Sequence, residues 1–236
     1  MSNYNISVDN GLCNRLRSLF SGLKYARENS LKYNVHWPVH PTECPAKFTD
    51  LFHSVKDVNF VDTPVDPYTK CNKWIGPHGI QLNHNYDPHE HEWFKELRPV
   101  KIIKDRIEEY VNKNIQVAVH VRSGPRYIKM AKIFKCHKPL QQYFDELKNV
   151  QKMYLATDRP ETQQSFIDKY GDNVLYDKQI TNQSTRVANN LTYVQDAVVD
   201  LFVCMHADTF ISSPMSSFSE LVINTHVHDT HRKHKT

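Results

Sequence analysis

Arg122 stands in the segment Gln116–Gly124, QVAVHVRSG, two residues after His120. An arginine presents a planar, permanently charged fork that matches phosphate oxygens, and a glycine two positions later lets the backbone turn tightly beside a bound group. The same residues also fit a surface arginine–carboxylate pair. A second polar group is Thr157-Asp158-Arg159-Pro160, in which Asp158 suits either a ligand contact or the N-cap of a helix with proline in its first turn. A third runs from Ser212 to Ser219, SSPMSSFS. Ser216 and Ser217 there offer hydroxyls and helix-start amides to a diphosphate, or simply cap the helix, and the two uses are compatible. Asp200 lies in an otherwise apolar stretch from Val198 to Val203, where a charge needs a partner. Its carboxylate suits the side-by-side N–H donors of guanine, with a structural salt bridge as the alternative.

The elements that must position these residues alternate. Tyr4–Val8 reads as a strand leading into the turn Asp9-Asn10-Gly11, and Leu16, Leu19, Phe20, Leu23 and Ala26 recur at helical spacing within Asn14–Asn29. Tyr33–Trp37 is a second strand ended by Pro38, which completes a βαβ unit. From Pro38 to Pro99 proline, histidine and aromatic residues are dense, and only Val58–Val61 reads as a strand. Val100–Asn112 is an amphipathic helix. Strands at Ile115–Val121, Lys152–Ala156, Val174–Tyr176 and Thr209–Ile211 then alternate with helices at Pro139–Val150, Pro160–Tyr170, Thr192–His206 and Ser217–Asn224. This order predicts an α/β protein with two Rossmann-like lobes whose parallel sheets face a cleft. The lobes are residues 1–99, small and loop-rich, and 100–225, followed by a basic, His-rich tail at 226–236. Ligands of such sheets bind at the carboxyl ends of the strands, where the three polar groups of the second lobe fall.

Composition narrows the classes. At 236 residues, with 39% hydrophobic and 24% charged residues, the chain has material for a real core. A formal charge of +4 favours an anionic ligand but is too small and dispersed to indicate nucleic acid or membrane. Five scattered cysteines with no C-x-x-C argue against a disulfide framework and a zinc site. No leader or membrane span is visible, which predicts a soluble, cytoplasmic protein, and the three glycosylation sequons read as chance matches. His84, His89, His91 and Glu92 are dense but lack the spacing of a metal motif, so no metal site is expected and no cofactor is predicted.

Taken together, these segments resemble the fucosyltransferase superfamily that includes core α1,6-fucosyltransferase, the nodulation fucosyltransferase and the protein O-fucosyltransferases. Gln116–Gly124 is similar to that family's H-x-R motif, Met153–Pro160 (MYLATDRP) to its T-D-[DR]-P segment, and Asp200–Leu221 to its last motif. Gly11-Leu-Cys-Asn14-Arg resembles a variant of its G-x-G-N turn. The resemblance implies a GT-B-like, metal-independent, inverting enzyme that moves a sugar from GDP-fucose to a glycan acceptor, with another GDP- or UDP-sugar, or a non-catalytic binding module, as alternatives. It further implies that His120 and Asp200 hold guanine, Arg122 binds the β-phosphate beside Ser216 and Ser217, and Gly11 and Asn14 approach from the facing lobe. The family's R-R-T-D continuation is replaced by Ser123-Gly-Pro-Arg126, so the acceptor-side acid is not recognisable. Asp9 and His36, at the mouths of the first two strands, are positional candidates for the base.

Overall fold

The computed structural model describes residues 2–75, 81–82, 93–181 and 191–224. The chain divides into two compact units, Met1–Val100 with Ala188–Val194 and Lys101–Val187 with Gln195–Thr236. His84, His89, His91, Glu92 and the tail lie outside the described residues. Among the described residues no helix is long and apolar enough to cross a membrane. None of the five cysteines is in a disulfide.

The first unit is built on a parallel four-stranded sheet. β1 (Asn3–Val8), β2 (Lys32–His36), β3 (Val58–Val61) and β4 (Thr69–Cys71) lie in the order β3-β2-β1-β4. β1 and β2 are joined through α1 (Leu12–Glu28), whose Leu16, Leu19, Phe20, Leu23 and Ala26 are buried as their spacing predicts. The turn into α1 is made by Asn10 at φ 63, not by Gly11, whose φ of −73 suits any residue. Asparagine takes the left-handed conformation more readily than other non-glycine residues. The glycine that packing requires is Gly22: an added methyl group would lie 2.2 Å from the Tyr33 hydroxyl, which bonds the Leu19 carbonyl at 3.0 Å. The stretch expected to be loop-rich also supplies core: Cys44, Ala46, Phe48, Leu51, Phe52 and Val55 are buried. It adds β4, the antiparallel pair β5 (Trp74–Ile75) and β6 (Gln81–Leu82), and the single turn α2 (Trp93–Glu96). Elements this short show no periodicity in a sequence.

The second unit repeats the plan. β7 (Val117–Val121), β8 (Met153–Thr157), β9 (Val174–Leu175) and β10 (Thr209–Ile211) form a parallel sheet in the order β10-β7-β8-β9. On one face Val119, Val121, Met153 and Leu155 pack with Tyr143, Leu147 and Phe166. These come from α5 (Leu140–Glu146), the residue after it, and α6 (Pro160–Tyr170). α3 (Lys101–Val111), α7 (Leu191–His206) and a last helix, α8 at residues 217–224, fall where the sequence places them. One helix was not expected. α4 (Pro125–Ile133) starts directly after Gly124, yet among its residues only Ala131 is fully buried, while Met130 and Ile133 face solvent. A helix with so thin an apolar stripe leaves no readable pattern.

Candidate functional site

β7 pairs with β10 on one side and β8 on the other, in a register that sets His120 beside Ala156 and Val121 beside Thr157. The residues after these three strands therefore gather at one edge of the sheet. Ser213 ties two of the strand ends together. Its buried hydroxyl donates to the His120 carbonyl at 2.9 Å and accepts the Arg122 N–H at 2.8 Å and the Tyr143 hydroxyl at 2.7 Å. One donor and two acceptors fill the capacity of a hydroxyl, so Ser213 works as a brace with nothing left for a ligand. The sequence shows it only as one serine among several.

His120 is 6% exposed and tilted against the Phe218 ring at 4.3 Å. Its Nδ1 shares a hydrogen bond of 2.8 Å with Ser219 Oγ, which also accepts the Ser213 N–H at 3.0 Å. Burial, and secondarily the charge of Arg122, push the imidazole pKa down to about 3. The ring is thus neutral near pH 7.

Arg122 is half-buried, and among the described residues its guanidinium has neither a carboxylate partner nor a hydrogen bond. The surface ion pair admitted by the sequence is therefore not formed there. Ser123 and Gly124 follow in a locked turn: the Ser123 N–H donates to Asp158 Oδ1 at 2.9 Å, and the Ser123 and Thr162 hydroxyls meet at 2.6 Å. The N-cap of α6 is Arg159, with no side-chain cap bond. This corrects the capping reading of Asp158, whose carboxylate reaches across to the neighbouring strand end instead of back to its own helix. Gly124 is glycine for the same reason: an added methyl group would lie 3.1 Å from Asp158 Oδ2 and 3.5 Å from Arg159 Nη2.

The serine-rich turn also departs from the capping alternative. Ser216 starts α8 with its carbonyl, which accepts the Glu220 N–H at 2.9 Å, but its hydroxyl is buried with no hydrogen-bond partner. Met215 before it is left-handed, at φ 54. Ser217 is half-buried at the first turn. An unused buried hydroxyl costs about 1–3 kcal/mol, and here it stands beside the unpaired amides of a helix start.

Asp200 is held differently. Tyr154 donates to its Oδ1 at 2.6 Å. Tyr154 pairs with Ala118, two residues or about 6.6 Å along the strand before the level of His120. Burial first, then the nearby Asp177 and Asp196, outweigh the Tyr154 bond and raise the Asp200 pKa to about 8. The salt bridge admitted for this helix forms one turn earlier, where Arg106 binds both Asp177 and Asp196, the latter at 2.6 Å. Asp200 therefore has an internal partner, and its carboxyl is held above the usual range.

The candidates of the first unit sit at the ends of β1 and β2. Asp9 pairs with Lys70 at 3.1 Å; burial raises its pKa, but the Asn10 backbone bond and Lys70 outweigh this and leave it lowered. His36 binds Ser7 Oγ through Nδ1 at 2.9 Å and meets the Asp62 backbone, and burial together with Arg15 lowers its pKa. Both are weak proton acceptors as they stand. Gly11 caps α1 and Asn14 is half-buried in its first turn. Among the described residues no three His, Cys, Asp or Glu side chains gather as metal ligands would.

No protein-family model matches this sequence, and no curated protein matches it. The fold matches solved fucosyltransferases. NodZ alpha-1,6-fucosyltransferase soaked with GDP-fucose aligns at a TM-score of 0.63 and 14% identity, over 94% of this chain and 93% of that one. POFUT1 in complex with GDP aligns at 0.59 and 11%, over 95% and 94%. An Arabidopsis thaliana FUT1 mutant in complex with GDP aligns at 0.55 and 12%, over 96% and 69%. At these identities the likeness establishes a shared fold.

Proposed function

We propose that this chain is a glycosyltransferase that moves fucose from GDP-fucose to a carbohydrate hydroxyl, inverting the sugar carbon and using no metal ion. The observation that carries this reading is the Arg122 guanidinium, half-buried at a strand end without an acid partner among the described residues. The buried, partnerless Ser216 hydroxyl stands three residues from the serine that braces the Arg122 backbone. As the sugar–phosphate bond breaks, negative charge builds on the departing diphosphate while the sugar becomes oxocarbenium-like. The half-buried Arg122 guanidinium, the Ser216 and Ser217 hydroxyls and the first amides of α8 meet that charge without a Lewis acid. GDP and GDP-fucose in the fold neighbours support the choice of nucleotide.

For the guanine base we favour Asp158 over Asp200. A carboxyl oxygen accepts from adjacent N–H donors, and Asp200 Oδ1 already accepts from Tyr154, whereas Asp158 Oδ2 accepts no hydrogen bond among the described residues. Asp158 is half-buried at the end of β8, adjacent to the Arg122 turn. Near it, neutral His120 stiffens the strand end. A binding-only module is the second reading, and the engaged states of Asp9 and His36 favour it.

Calorimetry with GDP, UDP and GDP-fucose, with and without chelator, tests the reading. GDP should bind in preference to UDP, unaffected by chelator, and Arg122→Ala should weaken it by about tenfold to a hundredfold. Asp158→Asn should weaken GDP more than Asp200→Asn does. Equal affinity for UDP would sink the guanine assignment, and loss of binding with chelator would sink metal independence. Donor hydrolysis or transfer abolished by Arg122→Ala separates an enzyme from a binding module.

A further inference from the structure

We infer that α4 docks the protein on a lipid bilayer that carries anionic headgroups; this stands independently of the nucleotide site proposed above. Residues 126–138 hold Arg126, Lys129, Lys132, Lys135 and Lys138 and no acid, so the +4 formal charge of the chain is concentrated there rather than dispersed. Lys138 is engaged by Glu146 at 2.7 Å. The other four are exposed, and among the described residues none of them has an ion pair or a side-chain hydrogen bond. Beside them three large apolar side chains face water: Met130 at 41%, Ile133 at 60% and Phe134 at 59% exposure.

The helix is held so that it presents this face. Gly124 caps its start, Tyr127 donates to the Pro214 carbonyl at 2.6 Å, and Ala131 is buried. Its far end is closed by the Cys136 N–H on the Ala131 carbonyl at 2.9 Å and the Lys135 N–H on the Lys132 carbonyl at 3.1 Å, around a left-handed Lys135 at φ 54. Helix-ending turns of this kind favour glycine at that position, so the chain keeps a cation where conformation alone selects against it. Ile133 and Phe134 lie three and four residues after Met130 and share one side of the helix with it, while Lys129 and Lys132 line the adjoining side.

Amines next to exposed aliphatic and aromatic side chains match a bilayer surface. Such a surface takes cations among its headgroups and apolar side chains just beneath them, without a shaped pocket. A soluble polyanion would use the amines but leave Met130 and Ile133 in water, and a second copy of the chain would set like charges together. No helix among the described residues is long and apolar enough to span, so the contact is with the surface. Because α4 starts directly after Gly124, docking through Phe134 sets the end of β7 within about 15 Å of the headgroups.

The test is co-sedimentation of the intact chain with vesicles of phosphatidylcholine alone and of phosphatidylcholine with phosphatidylserine, at low and high salt. Binding is expected with phosphatidylserine only and should fall as salt rises. Lys129→Gln with Lys132→Gln should weaken it by about tenfold to thirtyfold. Ile133→Ser with Phe134→Ser should weaken it by about tenfold or more. All four side chains are exposed, so thermal unfolding should be unchanged in both variants. Failure of the unaltered chain to bind phosphatidylserine vesicles would overturn the inference. Equally tight binding to dextran sulfate, lost with the amines but untouched by Ile133→Ser with Phe134→Ser, would make this a polyanion site and overturn it too. So would self-association of the free chain that the same apolar pair of substitutions abolishes.

Discussion

Each unit places an arginine at a strand–turn–helix junction, and the two junctions use it in opposite ways. After β1, Arg15 has no exposure at all: Nε donates to the Asn10 carbonyl at 2.7 Å, Nη1 to the Pro38 carbonyl, and the guanidinium lies 5.3 Å from the Trp37 ring. It fastens the left-handed Asn10 turn to the end of β2. After β7 the backbone is fastened by neutral or acidic groups, Ser213 and Asp158, and among the described residues the guanidinia of Arg122 and Arg159 make no hydrogen bond, whereas of the Arg15 guanidinium only Nη2 is without one. Residue type does not separate a structural arginine from a ligand-binding one. What separates them is whether other groups already satisfy the turn.

The largest effect expected from this contrast is on stability. Arg15→Met removes the buried guanidinium that donates to two part-buried carbonyls and should cost about 3–5 kcal/mol in denaturant unfolding. Arg122→Met, which strips a guanidinium with no internal bond, should stay within about 1 kcal/mol. Equal costs would erase the distinction between the junctions.

The histidines sharpen it next. His36 ends β2 and His120 is the last residue but one of β7, and in both burial, then a nearby arginine, lowers the pKa. For His120 the folded value, about 3, lies below the ordinary 6.5, so the unfolded chain takes up the proton first as pH falls. The contribution is intact above pH 6.5 and is lost as pH drops from there toward 3. The loss should amount to about 2 kcal/mol at pH 5, and His120→Gln should flatten that slope. If His36→Gln flattens it equally, the acid sensitivity belongs to both units.

The sequence carried the sheets, α1, α3, α6, α7 and the strand-end placement of the second unit's polar groups, because long elements with regular apolar spacing state their type locally. It did not carry α4, whose apolar residues face solvent, or β4, three residues recruited by β1 pairing alone. Within the site, Arg122 and the Ser216–Ser217 start were legible from position. The braces were not, since Ser213, Thr162 and Ser219 gain meaning only from partners 39 to 99 residues away. The internal partner of Asp200, Tyr154, is unmarked in the sequence for the same reason. A lone acid in an apolar helix stands out in a sequence, while the tyrosine that occupies it does not.

The smallest predicted effect tests the turns with the least disturbance. Gly11 and Gly124 both cap a helix, and both have extended backbone, at φ −73 and −61. Replacing either by alanine loses the same small cap preference, so that contribution cancels between the two variants. Crowding does not cancel. A methyl group at Gly11 meets nothing nearer than the Glu43 carbonyl at 3.8 Å, whereas at Gly124 it presses on Asp158 Oδ2 at 3.1 Å. Gly124→Ala should therefore be less stable than Gly11→Ala by about 1 kcal/mol, and should weaken GDP by displacing Asp158. If the two variants unfold alike and only Gly11→Ala loses GDP, ligand approach governs the first turn, and the Asp158–Arg159 arrangement over Gly124 has no part in binding.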